Sequence, residues 1–168
     1  MSRNVQHIAQ GEYAVGGDPE EIITTLLGSC VAVCLHDPVA QVGGMNHILL
    51  PEETGQAANG ASFGVNAMEL LINSLIKYGG NRNRFVSKVF GGAQMVKGLS
   101  TIGRRNCEFV ESFLRDEGIQ NIGGSTGGDA GRRVQFWPHS GKVRQKFITD
   151  HVVERPTPKP KLSDVELF

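Results

Sequence analysis

The stretch that decides the fold is residues 30–50, CVAVCLHDPVAQVGGMNHILL. Its first part, residues 30–37, is rich in aliphatic and β-branched side chains and stops at Pro38, a pattern that predicts a strand. Its second part, residues 41–50, predicts another strand for the same reason. Between the two, Asp37 and Pro38 occupy the first and second positions that a type I turn prefers. The stretch therefore predicts a β-hairpin.

The expected register of this hairpin brings two reactive side chains together. If Asp37 and Ala40 close the turn, Cys30 and His47 lie directly opposite each other, with Cβ atoms about 4.5–5.5 Å apart. A bulge at Gly43-Gly44 would shift that register, and a one-residue slip would move His47 to the other face. Strand alternation predicts that one face of the first strand carries Cys30, Ala32 and Cys34 and the other Val31, Val33 and Leu35.

A cysteine beside a histidine is typical of nucleophilic catalysis. The thiolate is the reactive form, and an imidazole within reach can take the thiol proton and later return it to a leaving amine. The Gly28-Ser29 turn before Cys30 can offer backbone N–H groups and a hydroxyl to an oxyanion. A cysteine among valines is equally typical of a small core residue, and a histidine in an apolar run of a hydrogen-bonded core residue. The residues alone leave both interpretations open.

Composition excludes several classes of function. Seventeen basic and 17 acidic residues give a formal net charge of zero, which argues against nucleic acid or an anionic membrane as the main partner. No apolar run approaches the roughly 20 residues of a membrane span, so no membrane insertion is expected. The N-terminus has no apolar export segment, which favours the cytoplasm. Three cysteines without CxxC or HExxH spacing predict neither disulfides nor a metal site.

The rest of the chain predicts a mixed architecture. Alternating or β-branched runs predict further strands at residues 12–17, 21–27, 84–90, 132–137 and 142–148. Helical spacing predicts helices over about 65–76 and 103–117, and the glycine-rich residues 123–131 are expected to form a loop. We therefore expect one α/β (α+β) sandwich domain with mixed β-sheets and two main helices.

The last residues differ in composition from the rest. Prolines alternate with polar residues after position 155, so we divide the chain into a domain at 1–150 and a Pro-rich, flexible tail at 151–168. The alternative for this tail is a docking peptide anchored by Leu162, Val165, Leu167 and Phe168.

Several motifs together resemble the CheD family, the chemoreceptor glutamine deamidases of bacterial and archaeal chemotaxis. The two most specific are TTLLGSCVAVC at 24–34 and GGMNHILLP at 43–51. Further matching segments are AMELLIN at 67–73, FGGAQM at 90–95, IGRRN at 102–106 and GGDAGR at 127–132. The resemblance covers nearly the whole chain apart from its first few residues and the tail. Ser125-Thr126 depart from it, because the family often has an acidic residue before the last motif.

The resemblance implies a reaction and roles for particular residues. Cys30 would be the nucleophile, His47 the base and Thr24 the third member of the triad, with Thr25 its immediate competitor. On the sequence alone, a β-branched strand residue is the favoured interpretation of Thr24. The reaction would hydrolyse a receptor glutamine side chain to glutamate and ammonia through a thioester, without a cofactor. Partners would be methyl-accepting chemoreceptors and a CheC-type phosphatase. The alternatives are an adaptor that binds receptor or CheC, with catalysis secondary, and a cysteine hydrolase with an unrelated target.

Overall fold

The structure is a computed structural model that describes residues 4–51, 57–95, 101–148 and 165–168, with side chains in the first helix described from residue 62 onward. The strands are β1 Asn4–His7, β2 Tyr13–Gly16, β3 Glu21–Leu27, β4 Val31–Asp37, β5 Val42–Asn46, β6 Val86–Gly91, β7 Gln120–Thr126, β8 Gly131–Phe136, β9 Val143–Ile148 and β10 Val165–Leu167. The helices are α1 Ala57–Lys77 and α2 Ile102–Asp116, with a short 3-10 helix at Arg82–Arg84.

Two five-stranded mixed sheets and the two helices form three layers. The first sheet has the order β1-β3-β8-β9-β10, and the second has the order β2-β5-β4-β6-β7. One hydrophobic core lies between the second sheet and the helices, and another lies between the two sheets. The predicted α+β sandwich with two main helices is therefore confirmed. No helix among the described residues is long and apolar enough to cross a membrane.

The alternation predicted for β4 is confirmed by these two cores. The core beneath the helices contains Val31, Val33 and Leu35. The core between the sheets contains Ala32 and Cys34, and Cys30 packs against it. The nucleophile candidate therefore belongs to the inter-sheet face, where the first sheet can supply partners for it.

The β4–β5 hairpin forms, but the predicted register is wrong by two residues. Asp37 pairs with Val42 rather than closing a turn with Ala40, and Cys34 pairs with Met45. The cause is a longer loop, in which Gln41 adopts a left-handed conformation with a φ of 57°. The Asp37 carboxylate stabilises this loop because it accepts hydrogen bonds from the N–H groups of Val39 and Ala40, both at 3.0 Å.

The hairpin has no bulge at its two glycines. Gly43 pairs with His36 and Gly44 with Leu35 in regular register. The glycines are needed for close packing instead, because a Cβ at Gly43 would lie 2.7 Å from the Phe136 ring and one at Gly44 2.8 Å from Val15. Since the register is shifted by two residues rather than one, each side chain keeps its predicted face.

The glycine-rich segment after α2 is partly strand rather than loop. Residues 120–126 form β7, which runs parallel to β6. A Cβ at Gly124, where φ is 132°, would lie 2.0 Å from the Val89 carbonyl oxygen, so the glycine permits the two backbones to approach. Sequence patterning misses this strand because its glycines resemble loop residues.

The C-terminal residues are ordered where the structure describes them. β10 pairs antiparallel with β9, and Phe168 packs edge-on against Phe90 with ring centroids 5.2 Å apart. Of the four proposed anchors, Val165 and Leu167 thus lie in an edge strand of the chain's own first sheet, and the Phe168 ring packs on Phe90 of the second sheet, so the last four residues are not a free tail. Leu162 and the rest of the tail lie outside the described residues, so the boundary at residue 150 stays a prediction.

Candidate active site

Cys30 lies in the bend between β3 and β4, and surrounding backbone holds it there. Its carbonyl oxygen accepts a hydrogen bond from the Gly92 N–H at 2.8 Å, and the Gly28 carbonyl accepts one from Ala93 at 3.0 Å. The Cys30 side chain is half-buried against the inter-sheet core. The backbone of Cys30 is therefore fixed on both sides, while the residue stays partly exposed.

His47 follows β5 directly and is bonded through its backbone to the segment before β2. Its N–H donates to the Glu12 carbonyl at 3.1 Å, and its carbonyl accepts from Gly11 at 2.8 Å. The residue is 7% exposed, so most of the imidazole is enclosed by protein. This backbone pairing turns the ring toward the first sheet.

The two residues share a face but do not lie directly opposite each other, as the sequence had predicted. Beyond the regular ladder, Val31 forms an isolated bridge with Ile48. Cys30 directly precedes Val31, and His47 directly precedes Ile48. In an antiparallel pair two such residues are diagonal neighbours on one face. Among the described residues, no hydrogen bond joins Cys30 to His47.

The hydroxyl of Thr25 contacts the imidazole from the opposite sheet. Thr25 Oγ1 lies 2.7 Å from His47 Nδ1, and the same hydroxyl donates to the Ile8 carbonyl oxygen at 2.7 Å. A hydroxyl has one proton, and the carbonyl can only accept, so Oγ1 must accept from the Nδ1–H of His47. The tautomer assigned from these partners leaves Nε2 with the free lone pair, as a general base requires.

Thr24 does not occupy the position that the sequence had suggested. Its hydroxyl donates to the Val134 carbonyl oxygen of the neighbouring strand at 2.8 Å. Successive side chains of a strand point to opposite faces, so only one of the two threonines can face the second sheet. That one is Thr25, which has the same parity in β3 as the inter-sheet core residues Ile23 and Leu27. The sequence could not make this choice, because Ile22, Thr24 and Leu26 form the same apolar pattern on the other face as Ile23, Thr25 and Leu27.

Burial keeps the resting pair uncharged. It raises the pKa of the Cys30 thiol above its usual value, and it lowers the pKa of His47. Both shifts favour the neutral forms, a thiol and an imidazole, near neutral pH. The arrangement can therefore hold a protonated nucleophile beside an unprotonated base until a substrate arrives.

The turn before Cys30 has backbone donors without partners. Neither the Ser29 nor the Cys30 N–H donates to any residue that the structure describes. Gly28 packs close to Met95, since a Cβ there would lie 3.4 Å from the Met95 Cγ. Unpartnered N–H groups beside a nucleophile can stabilise an oxyanion. The side chains of the other two cysteines are enclosed, and burial raises the pKa of Cys107 to about 11 and that of Cys34 further.

Two further residues near this turn were missed by the sequence reasoning. The Ile8 carbonyl sets the proton position on Thr25, and the Asn106 side chain bonds to the Ser29 carbonyl at 2.9 Å. Both contacts come from elements distant in sequence, so no local signal reveals them. Within the described ranges, no three His, Cys, Asp or Glu side chains form a group that could hold a metal ion.

Comparison with known proteins assigns the family. The family model described as CheD chemotactic sensory transduction matches residues 49–147. A protein of Agrobacterium fabrum named "Probable chemoreceptor glutamine deamidase CheD" is 49% identical, with 96% of this chain and 95% of that protein covered. The chain belongs to the CheD family.

Other similarities accompany this result. A CheD of the same printed name from Caulobacter vibrioides is 49% identical over 96% of this chain and 92% of its own length. A solved DUF152-family protein from Neisseria meningitidis has a TM-score of 0.47 at 9% identity, covering 74% of this chain and 64% of that one. CheD membership rests on the sequence relatives.

Proposed function

We propose that this chain is a protein-glutamine deamidase that converts glutamine side chains of chemoreceptors to glutamate and ammonia. The observation that carries the proposal is the hydrogen-bonded series from the Ile8 carbonyl through Thr25 to His47, on the face that also holds Cys30. The names of the CheD relatives support the choice of substrate.

The first half of the reaction transfers the acyl group to the enzyme. His47 Nε2 takes the Cys30 proton as Sγ attacks the carbonyl carbon of the glutamine side chain. The N–H groups of Ser29 and Cys30 stabilise the oxyanion. The imidazolium then protonates the leaving nitrogen, ammonia departs, and a thioester to Cys30 remains.

The second half of the reaction releases the product. His47, neutral again, takes a proton from a water molecule that attacks the thioester carbonyl. The carbon–sulfur bond breaks, the proton returns to Cys30, and a glutamate side chain leaves. Thr25 orients His47 throughout and touches no substrate atom, so it is a positioning residue. The cycle consumes one water and requires no cofactor.

The proposal places the reaction in the cytoplasm, where receptor signalling segments would meet the enzyme. It also includes a CheC-type phosphatase as a second partner. The alternative function, an adaptor that binds receptor or CheC while catalysis is secondary, shares these partners and makes a different prediction about the substrate.

One experiment separates the two functions. Purified protein is incubated with receptor cytoplasmic fragments in water enriched in ¹⁸O, and the peptides are analysed by mass spectrometry. A deamidase produces the mass gain of amide-to-acid conversion at specific glutamines, with the label in the new carboxylate. Binding of the fragments without any mass change would contradict the proposal and favour the adaptor.

A further inference from the structure

Asn106 is a polar side chain with no exposed surface. It lies near the start of α2, among residues that pack against the second sheet, such as Cys107 and Val110. A buried amide must find hydrogen-bond partners to offset its lost hydration. The partners of Asn106 therefore show what the residue is for.

Both halves of the Asn106 amide bond to the candidate active site. Nδ2 donates to the Ser29 carbonyl at 2.9 Å, and Oδ1 accepts from the Leu50 N–H at 3.0 Å. A carbonyl only accepts and an N–H only donates, so these partners fix the orientation of the amide. Ser29 directly precedes Cys30, and Leu50 follows His47 by three residues. One side chain thus joins the two catalytic segments.

A few hydrogen bonds also join these segments directly at this end of the hairpin. Val31 and Ile48 exchange two, at 3.0 and 2.7 Å, and the Val33 N–H donates to Asn46 Oδ1 at 3.0 Å. The regular β4–β5 ladder ends with the Cys34–Met45 pair, and beyond it the isolated bridge between Val31 and Ile48 remains. The bridge holds the residues next to Cys30 and His47, and groups outside the ladder add a further restraint on the two segments. The Asn106 amide is such a group.

α2 is itself fixed against the same turn. A Cβ at Gly103 would lie 2.5 Å from the Gly92 carbonyl oxygen, so the helix and this loop are in close contact. Gly92 in turn donates its N–H to the Cys30 carbonyl. On the other side, the Arg105 guanidinium donates to the Leu50 carbonyl at 3.2 Å. The helix therefore presents Asn106 to both segments in a defined position.

We propose that Asn106 is a positioning residue that sets the distance and orientation between Cys30 and His47. The inference rests on the proposed function, because it assigns those two residues their roles. The site requires an amide, since one partner needs a donor and the other an acceptor. In Asn106→Asp, one carboxylate oxygen can still accept from the Leu50 N–H. The other oxygen faces the Ser29 carbonyl with no hydrogen to donate, and the negative charge disfavours the nearby Cys30 thiolate.

The test compares Asn106→Asp and Asn106→Ser with Val110→Ala, a core substitution one turn further along the same helix at a side chain that can make no hydrogen bond. Deamidation is measured as kcat and KM below the melting temperature of each variant. We expect kcat to fall by about 10–100-fold in the Asn106 variants with little change in KM, since small misplacements of reacting groups have effects of this size. Val110→Ala should keep its kcat despite lower stability.

The rate of Cys30 alkylation by iodoacetamide, followed against pH, supplies a second readout. Asn106→Asp should shift its midpoint to higher pH through the added charge alone, so the neutral Asn106→Ser is the decisive variant: it should also change the alkylation profile, whereas loss of a purely structural residue would leave the profile in place. Unchanged kcat and an unchanged alkylation profile in Asn106→Ser would overturn the inference, as would an equal loss of kcat in Val110→Ala. If the wild-type protein does not deamidate receptor fragments, the proposed function fails, but the alkylation profile still tests the position of Cys30.

Discussion

Proton positions decide what individual residues of this site can do. The Ile8 carbonyl takes the Thr25 proton, so Thr25 can only accept from His47 Nδ1. His47 Nε2 is left as the atom that can remove a proton from Cys30. The Thr25 hydroxyl thus holds the imidazole in one tautomer, as a carboxylate does in other triads, but it adds no charge.

The two adjacent threonines give a matched pair of substitutions. Thr25→Val keeps the shape of the side chain but leaves the His47 Nδ1–H without its acceptor. General base catalysis contributes about 10²–10⁴-fold, and we expect this variant to lose about 10–100-fold in kcat. Thr24→Val should have a smaller effect. The Thr24 side chain lies on the other face of β3, where its hydroxyl donates to the Val134 carbonyl oxygen. Steady-state deamidation rates check this, and a larger loss in Thr24→Val would refute the assignment.

The pH dependence follows from the burial of His47. A lowered pKa keeps the imidazole unprotonated to more acidic pH than the ordinary value of about 6.5. The acid limb of kcat/KM reports the free enzyme's base, so it should have its midpoint below that ordinary value. A pH profile of receptor-fragment deamidation measures it. An acid limb centred above the ordinary histidine value would show that the imidazole is not the desolvated base described above.

At the scale of elements, Asp37 stabilises the hairpin next to both segments of the candidate site. Its carboxylate is fully buried, pairs with Arg84 Nη2 at 2.9 Å and accepts the N–H of Asn81 at 2.8 Å. Burial alone would raise the pKa of this carboxyl, but Arg84 and the backbone donors outweigh it and hold the pKa well below its usual range.

Asp37→Asn should therefore destabilise the fold. Hydrogen bonds to charged groups are worth about 1.5–3 kcal/mol, and we expect a loss of about 2–3 kcal/mol in the free energy of unfolding, measured in urea. A depressed pKa stabilises the fold at pH above the unfolded value of about 3.9, and this contribution is lost as pH falls further. In Asp37→Asn, that part of the loss of stability at acidic pH should disappear.

Arg82→Ala, which breaks an exposed ion pair with Glu117, is the control. Its free energy of unfolding should fall by at most about 1 kcal/mol.

At the scale of the whole molecule, the site is assembled from both sheets and a helix. Cys30 and His47 come from the second sheet, Thr25 from the first, and Asn106 from α2.

The fold class, the hairpin and both helices could be predicted, because each depends on local periodicity and turn residues. The hairpin register could not be predicted, because it depends on the conformation of the loop. In that loop Gln41 is left-handed, and the Asp37 carboxylate accepts a hydrogen bond from the Val39 N–H.

Long-range contacts account for the rest of what the sequence did not predict. Asn106 bonds to residues 77 and 56 positions away, and β1 and β10 are short strands that form only against β3 and β9. The choice of Thr25 over Thr24 also needed the structure, because both faces of β3 carry one Ile, one Thr and one Leu. The sequence motifs therefore predicted the candidate pair Cys30 and His47, while the groups that contact this pair required the tertiary structure.

The central claim is that Cys30 is the nucleophile of a glutamine deamidase. The most direct test is mass spectrometry of receptor fragments incubated with wild-type protein, Cys30→Ala and Cys34→Ala, the last being a buried thiol on the same face of β4. We expect glutamine-to-glutamate conversion by the wild type and by Cys34→Ala, and none above background by Cys30→Ala. Equal conversion by Cys30→Ala would contradict the account.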